Sequence, residues 1–216
     1  MIQVTKSQAR RIIHNCAIAY RDSLVNRNVL FIAERDDILD YFEALFLASN
    51  YQHLTGVVIR NSMTANAFYN RALDDRITEN DFDFSSDGTT RMKLDVLPKL
   101  MKIHYIARMV GNYDGSGNYL MAEKIAGTTT AAMGFIKEGL YYYPNSTLKV
   151  DVKSITTKPF LKVSAVLVKD INSEKYRHMT YITKDKNIID ITSLPGVGDK
   201  LDIPPNTPLE EYLDRS

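Results

Sequence analysis

Residues 51–58 read Tyr51-Gln52-His53-Leu54-Thr55-Gly56-Val57-Val58. They lie between a segment with helical spacing of apolar residues and a short apolar run. In an extended segment, residues i and i+2 lie on the same face, so this stretch predicts the His53 imidazole beside the Thr55 hydroxyl. The pKa of a free histidine, about 6.5, allows proton exchange near neutral pH. The stretch is therefore a candidate proton-transfer position, although a lone histidine beside a strand is more often structural.

The composition predicts one globular domain, with or without an extension. The chain has 216 residues, of which 44% are apolar, and a net charge of +1. A charge so close to zero means that any site for a polyanion must be a local patch. The single cysteine, Cys16, excludes an internal disulfide and fits a reducing cytosol. No signal segment or membrane-spanning run is present, so we expect a cytoplasmic protein with no membrane partner.

The first half of the chain reads mainly as helices. Apolar residues recur with helical spacing in residues 6–25, 36–46, 63–73 and 91–110, and Pro98 interrupts the last of these segments. A short apolar run at residues 29–33 predicts a strand between the first two helices. We therefore expect a mostly helical N-terminal part.

The second half changes to short β-like runs after Gly111, at residues 120–125, 131–136, 140–143, 148–155, 161–169 and 175–183. The run at 161–169 is apolar on both faces and predicts a central strand. Helices first and strands later predict an α+β fold, with N-terminal helices packed on a C-terminal antiparallel sheet. We divide the chain into an N-terminal helix (1–28), an α+β domain (29–186) and a proline-containing C-terminal extension (187–216).

Lysines, tyrosines and a histidine cluster around the predicted strands of the second half. Cationic groups stabilise charge on a transferring phosphoryl group, and tyrosine rings offer stacking surfaces for unpaired bases. The alternative is that the aromatic residues belong to the core and the lysines to solvated strand edges. The residues concerned are Tyr141, Tyr142, Tyr143, Asn145, Asp151, Lys153, Lys169, Tyr176, His178, Tyr181 and Lys184.

A metal site has weak support. Residues 112–123 have the spacing of a calcium loop, with Gly117 at the sixth position and Glu123 at the twelfth. Asn112 stands at the first position, where calcium loops favour aspartate, and Tyr119 replaces the usual aliphatic residue at the eighth. The segment therefore predicts a glycine-rich turn, and we expect neither a metal nor another cofactor.

Several short motifs together resemble a known family. They are the 51–57 stretch, Ala67-Phe68-Tyr69, Lys93-Leu94 after Thr90, Tyr142-Tyr143-Pro144-Asn145-Ser146, the strand with Lys169 and the strand end from Tyr181 to Lys184. The chain resembles the phage-encoded nuclease-like domains grouped with barnase, EndoU, the tRNase colicins and RelE, specifically the fourth phage group. The resemblance covers about residues 31–184.

The resemblance implies an α+β fold with a four-stranded antiparallel sheet and metal-independent cleavage of RNA. It makes the chain a candidate toxin-type ribonuclease of phage or mobile-element origin. Its partner would be RNA, tRNA being one candidate, with a protein as a further partner and the oligomeric state left open. The motif positions that carry over as catalytic candidates are His53, Thr55, Lys169, Tyr181 and Lys184.

The chemistry of 2′-hydroxyl transesterification assigns a role to each candidate. His53 would serve as base or acid, with Thr55 orienting it or the phosphate. Lys169 and Lys184 would stabilise the charge of the pentacovalent phosphorus, and Tyr181 would donate a proton or stack on a base. The predicted substrate-binding residues are Tyr143, Asn145, Lys153, Tyr176 and His178.

Two other functions compete with this hypothesis. An ADP-ribosyltransferase could use His53 and Thr55 on one strand to hold the nicotinamide ribose, with tyrosines stacking on the ring. A catalytically inactive binding or inhibitor protein in phage–host conflict could use the same fold surface without turnover. RNA binding without cleavage would distinguish the inactive protein from the nuclease.

Overall fold

The structure, a computed structural model, describes residues 4–116, 121–186, 188–203 and Leu213. The helices are α1 (Lys6–Ser23), α2 (Tyr51–Thr55), α3 (Ala65–Leu73), α4 (Thr89–Leu100), α5 (Ile103–Ile106) and α6 (Ile188–Thr192). The strands are β1 (Arg27–Arg35), β2 (Ile38–Phe46), β3 (Val57–Ile59), β4 (Phe82–Phe84), β5 (Met109–Asn112), β6 (Lys124–Gly127), β7 (Ala132–Glu138), β8 (Tyr141–Leu148), β9 (Leu161–Asp170) and β10 (His178–Ile182).

The large sheet closes on itself through β1. This strand pairs with β2 along one edge and with β9 along the other. From β2 the order continues through β8, β7, β6 and β5 back to β9. β5 pairs with the first residues of β9, and β10 pairs with β9 further along the strand. All of these pairs are antiparallel except β2 with β8, which meet in parallel at Ala44 and Tyr142. The small pair β3–β4 lies apart from this sheet.

The predicted α+β class is confirmed, but the predicted order of helices before strands is wrong. β1 and β2 belong to the N-terminal half and are integral to the sheet. The segment predicted as a helix at residues 36–46 is β2. The strand predicted at 148–155 is wrong beyond Leu148, where β8 ends and a short 3₁₀ turn, Val152–Ser154, follows. The predicted helix at 91–110 is divided among α4, α5 and β5.

The reason for the error at β2 is a tight hairpin. Arg35 pairs with Ile38, so only Asp36 and Asp37 form the connection, and Asp36 adopts a φ of +53°. Aspartate tolerates this left-handed conformation better than most residues, which permits a two-residue turn. The apolar residues of this segment fit both a helical and a strand periodicity. Pairing with β1 therefore decides that it is a strand.

Two cores lie on the opposite faces of β1 and β9. The helix-side core contains Phe31, Phe42, Phe46, Phe135 and buried residues of α1 to α4. The second core contains Leu30, Ile32, Ala165, Leu167 and Tyr176, and it is covered by residues of the C-terminal segment, Ile191, Val197, Leu201 and Ile203. The described part of that segment is therefore packed against the sheet.

We expect Ile191→Ala to lower the free energy of unfolding by about 2–4 kcal/mol, since it leaves a cavity in the second core. Ile191 is fully buried there, whereas Ile171 is 43% exposed. The same change at Ile171 is the matched control and should have little effect. Urea denaturation of both variants measures the difference. Equal stabilities would contradict the structural role of the C-terminal segment.

Candidate active site and nucleic-acid surface

Residues 51–55 form the short helix α2, so the predicted extended conformation of this stretch is wrong. Tyr51 and Leu54 are buried in the helix-side core, and the Tyr51 hydroxyl donates to the carbonyl of Ile13 over 2.5 Å. Gly56 ends the helix with a φ of +68°. Burial of two residues three positions apart favours a helical turn over a strand.

The helix separates the two side chains that an extended chain would have brought together. Residues two apart on a helix point in directions about 200° apart. Thr55 is fully buried, and its hydroxyl donates to the carbonyl of Gln52 over 2.7 Å. The His53 side chain reaches the surface. Thr55 thus stabilises the turn, and the strand geometry that the ADP-ribosyltransferase hypothesis requires is absent from α2.

Lys93 of α4 is the charged neighbour of His53. Its Nζ donates to the His53 carbonyl oxygen over 3.3 Å. Its aliphatic stem packs on Gly56 so closely that a Cβ there would collide with the Lys93 Cδ. The Thr90 hydroxyl, one turn earlier on α4, donates to the Gly56 carbonyl. These contacts fix α2 against α4 and hold the Lys93 amine against the main chain of His53.

This environment changes the acidity of both groups. Desolvation and then the positive charge of Lys93 lower the pKa of His53 from 6.5. Desolvation also lowers the pKa of Lys93 from 10.5, while Asp87 acts in the opposite direction. At pH 7 the imidazole is therefore neutral and can accept a proton, and the ammonium is a stronger acid than an ordinary lysine.

We expect Lys93→Met to raise the pKa of His53, because the change removes a nearby positive charge but keeps an unbranched stem over Gly56. The pKa should remain below 6.5, since desolvation is the larger cause of the shift. An NMR titration of the imidazole, assigned with His53→Ala, measures this. Lys99→Met, on the same helix, is the control. An unchanged pKa in Lys93→Met would refute the coupling.

Lys169, Tyr176 and His178 form a separate group at one end of β9 and β10. The Lys169 Nζ lies 4.9 Å from the centroid of the Tyr176 ring and donates to the Glu174 carbonyl. His178 pairs with Val168 and lines the same cavities as Lys169. Tyr176 is buried, and its hydroxyl donates to Glu43 over 2.8 Å. Tyr176 thus belongs to the second core and is inaccessible to a substrate.

Tyr181 and Lys153 line a different cavity, which we call the Arg108 pocket. The Arg108 guanidinium lies 3.9 Å from the centroid of the Tyr181 ring. The volume is about 390 Å³, within the range of ligand-binding cavities. Among the described residues, its lining includes three cations and no carboxylate. The lining residues are Arg108, Met109, Thr128, Thr129, Lys153, Phe160, Lys162, Val163, Tyr181 and Thr183.

The predicted catalytic residues do not meet at one point. Lys169 lies over Tyr176 of the second core, whereas Tyr181 packs against the helix-side core, so the two side chains lie on opposite faces of the sheet. Lys184 is exposed in the turn after β10. The sequence grouped these residues by type and order, but the alternation of side chains along β9 and β10 separates them.

The two remaining predicted binding residues lie on β8. Tyr143 is half-buried and pairs with Ile136. Asn145 is the extra residue of a bulge, and its Nδ2 donates to the Met121 carbonyl over 2.9 Å. The amide of Asn145 therefore anchors a neighbouring loop. The sequence missed Arg108 and gave Lys93 no catalytic role, because both fell within the predicted helix at residues 91–110.

Helices and a large, mostly antiparallel sheet make this an α+β protein, and its surface carries cationic and ionisable side chains. The chain belongs to the family described as phage-Barnase-EndoU-ColicinE5/D-RelE like nuclease4, whose model matches residues 12–185. This confirms the resemblance that the sequence motifs indicated. Searches of curated proteins and of solved structures gave no match.

None of the helices in the described part of the chain is both long and apolar enough to cross a lipid bilayer. The described residues contain no group of three or more histidine, cysteine or acidic side chains arranged to hold a metal ion. The central residues of the predicted turn, 117–120, lie outside the described ranges.

Proposed function

We propose that the protein cleaves RNA by transesterification, with His53 and Lys93 as the proton-transferring pair. The observation that carries this proposal is the contact between the Lys93 amine and the main-chain carbonyl of His53. It places a surface imidazole and an amine on two helices that are locked together at Gly56. Membership of a nuclease family supports a nucleic-acid substrate. RNA is favoured because its 2′-hydroxyl provides a nucleophile that needs only a base.

His53 accepts the proton of the ribose 2′-hydroxyl. The lowered pKa keeps the imidazole neutral at pH 7, which is the form that a general base requires. The 2′-oxygen then forms a bond to the adjacent phosphorus. Of the two roles considered for His53, the proposal therefore assigns that of the base.

Lys93 donates the second proton. As the bond from phosphorus to the 5′-oxygen breaks, the leaving oxygen takes a proton from the Lys93 ammonium, whose lowered pKa favours the transfer. Before the transfer, its positive charge stabilises the negative charge on the phosphoryl oxygens. The products are a 2′,3′-cyclic phosphate and a free 5′-hydroxyl. Lys93 thus takes the charge-stabilising role that the sequence assigned to Lys169 and Lys184, and the proton-donating role that it considered for Tyr181.

We expect His53→Ala to lower kcat by about 100- to 10,000-fold, the usual contribution of a general base. The His53 side chain reaches the surface, so the melting temperature should change little. His178→Ala is the matched control, because His178 is an exposed histidine in the Lys169 group. The assay is cleavage of total RNA in EDTA, followed by analysis of product ends. If His178→Ala abolished cleavage and His53→Ala did not, catalysis would be assigned to the Lys169 group.

The pH profile provides an independent test. The rate should fall on the acid side as His53 becomes protonated, with a midpoint below 6.5. It should fall on the alkaline side as Lys93 loses its proton, with a midpoint below 10.5. In Lys93→Met the fall in rate at alkaline pH should disappear. The midpoint of the fall at acid pH should move to a higher pH. Two unchanged limbs in this variant would contradict the assigned roles.

A second candidate function is RNA binding without turnover. The composition of the Arg108 pocket favours it, because the described residues that line this cavity include cations and aromatic rings but no histidine or carboxylate. Such a lining can hold a strand without supplying a base. Retention of RNA by the protein, with no cyclic-phosphate ends at any pH between 5 and 9, would support this function over cleavage.

A further inference from the structure

The Arg108 pocket lies where β9 exchanges one neighbouring strand for another. β5 pairs with the first two residues of β9, and β10 pairs with residues from Ala165 onwards. At the change of partner, the Val163 amide donates to the Arg108 carbonyl over 3.0 Å. The Thr183 amide donates to the Ser164 carbonyl over 2.8 Å. The start of β5 and the end of β10 therefore lie together, and their side chains line one cavity.

The charge of this lining favours an anionic ligand. Its cations are Arg108, Lys153 and Lys162, all exposed, and no carboxylate is among the described residues that line it. By contrast, the cavity around Lys169 includes three carboxylates, and so does the cavity that adjoins the Arg108 pocket at Phe160 and Lys162. Arg108 and Lys153 are therefore the cations that distinguish the pocket from its neighbours.

The same cavity offers flat surfaces. The Arg108 guanidinium lies 3.9 Å from the centroid of the Tyr181 ring. Its Nη1 donates to the carbonyls of Tyr105 and Ala107, each over 2.8 Å. These three contacts fix the plane of the guanidinium. The ring of Phe160 belongs to the same lining. Unpaired bases stack on aromatic rings and on guanidinium planes, so the pocket matches a base as well as an anion.

Charge and flat surfaces together indicate a nucleotide. The volume of about 390 Å³ lies within the range of about 300–1,000 Å³ that is usual for small-molecule sites. A base can enter such a cavity only when it is not paired in a duplex. An acidic peptide would match the cations but would leave the stacking surfaces unused.

We propose that the Arg108 pocket binds one nucleotide unit, with its base stacked at the Arg108–Tyr181 pair and its phosphate bound by the lining lysines. A free nucleotide and a nucleotide within a single strand share this chemistry. The inference goes beyond the proposed function, because none of the described lining residues comes from α2 or α4, which carry His53 and Lys93. It holds for either candidate function, since binding at the pocket is independent of turnover.

The test is an NMR titration with adenosine 5′-monophosphate (AMP), which has no internucleotide bond to cleave. Ribose 5-phosphate lacks the base and adenosine lacks the phosphate, so they are the matched ligands. The methyl signals of Thr128, Thr129 and Thr183, which line the pocket, report binding. The wild-type protein should bind AMP about tenfold more tightly than ribose 5-phosphate, the usual effect of one stacked base, and also more tightly than adenosine.

Two variants separate the two parts of the ligand. Lys153→Gln should weaken the binding of AMP and of ribose 5-phosphate about threefold, as expected for an exposed charge pair, and leave adenosine unchanged. Arg108→Lys keeps the charge but removes the planar group, so it should weaken AMP and change ribose 5-phosphate little. Lys175→Gln is the matched control, because Lys175 is an exposed lysine of the cavity around Lys169. It should bind AMP like the wild type.

Three results would overturn the nucleotide site. Equal affinities of the wild type for AMP and ribose 5-phosphate would show that no base is recognised. Binding of tetraglutamate as tightly as AMP would favour an acidic peptide. Equal weakening of AMP binding by Lys153→Gln and Lys175→Gln would show that the pocket has no specific part in it. Melting temperatures of all variants establish that they are folded.

A 2′-O-methyl trinucleotide, which lacks the attacking hydroxyl, distinguishes the two sources of the ligand. Displacement of AMP by the trinucleotide would assign the pocket to a nucleotide within a strand, and AMP binding without displacement would assign it to a free nucleotide.

Two further results separate this inference from the proposed function. His53→Ala should bind AMP with wild-type affinity, and loss of binding in that variant would place the nucleotide at α2 and overturn the inference. AMP binding at the pocket without cleavage of RNA by the wild type would overturn the catalytic pair and retain the pocket. RNA cleavage with no AMP binding at the pocket would have the opposite meaning.

Discussion

The structure depends on the pairing of β1 along both of its edges. Hydrogen bonds to β2 and β9 satisfy its backbone, and six consecutive residues of the strand are buried. Its side chains supply both cores, with Phe31 on the helix side and Leu30 and Ile32 on the other. A strand in this position must be apolar on both faces. It also closes the sheet, which gives the helices one face and the C-terminal segment the other.

This arrangement determines where chemistry is available. The second core is covered by residues 191–203, and the polar groups beneath it, such as the Tyr176 hydroxyl and Glu43, bond to each other or to Lys200. On the helix side, α4 buries Leu94, Leu97 and Leu100 and leaves its opposite face to solvent. A helix anchored in this way presents its exposed cations from a rigid backbone.

Gly56 links the fold to the candidate active site. Its left-handed conformation ends α2, and its missing side chain provides space for the Lys93 stem. The same glycine carbonyl accepts a hydrogen bond from Thr90 of α4. Local chain geometry, helix packing and the environment of His53 therefore depend on one position, which explains why Lys93 of another motif lies against the stretch that contains His53 and Gly56.

Much of the secondary structure could be predicted from periodicity. The predictions were correct for two helices, α1 and α3, and for three strands, β1, β7 and β9. In each of these segments the apolar residues fit either the helical or the strand periodicity, but not both. The segment of β2 fits both periods, and pairing with β1 decided between them. The 51–58 stretch looked extended, but two buried residues three positions apart, Tyr51 and Leu54, made it helical.

The sequence by itself determined the α+β class, the family, the candidate role of His53 and the presence of basic and aromatic residues in the second half. These properties follow from local pattern and residue type. Only the tertiary structure placed Lys93 beside His53, separated Lys169 from Tyr181, and joined Arg108 to Tyr181. Contacts of this kind depend on strand register and helix packing between distant segments, and a shift of one residue along a strand moves a side chain to the opposite face.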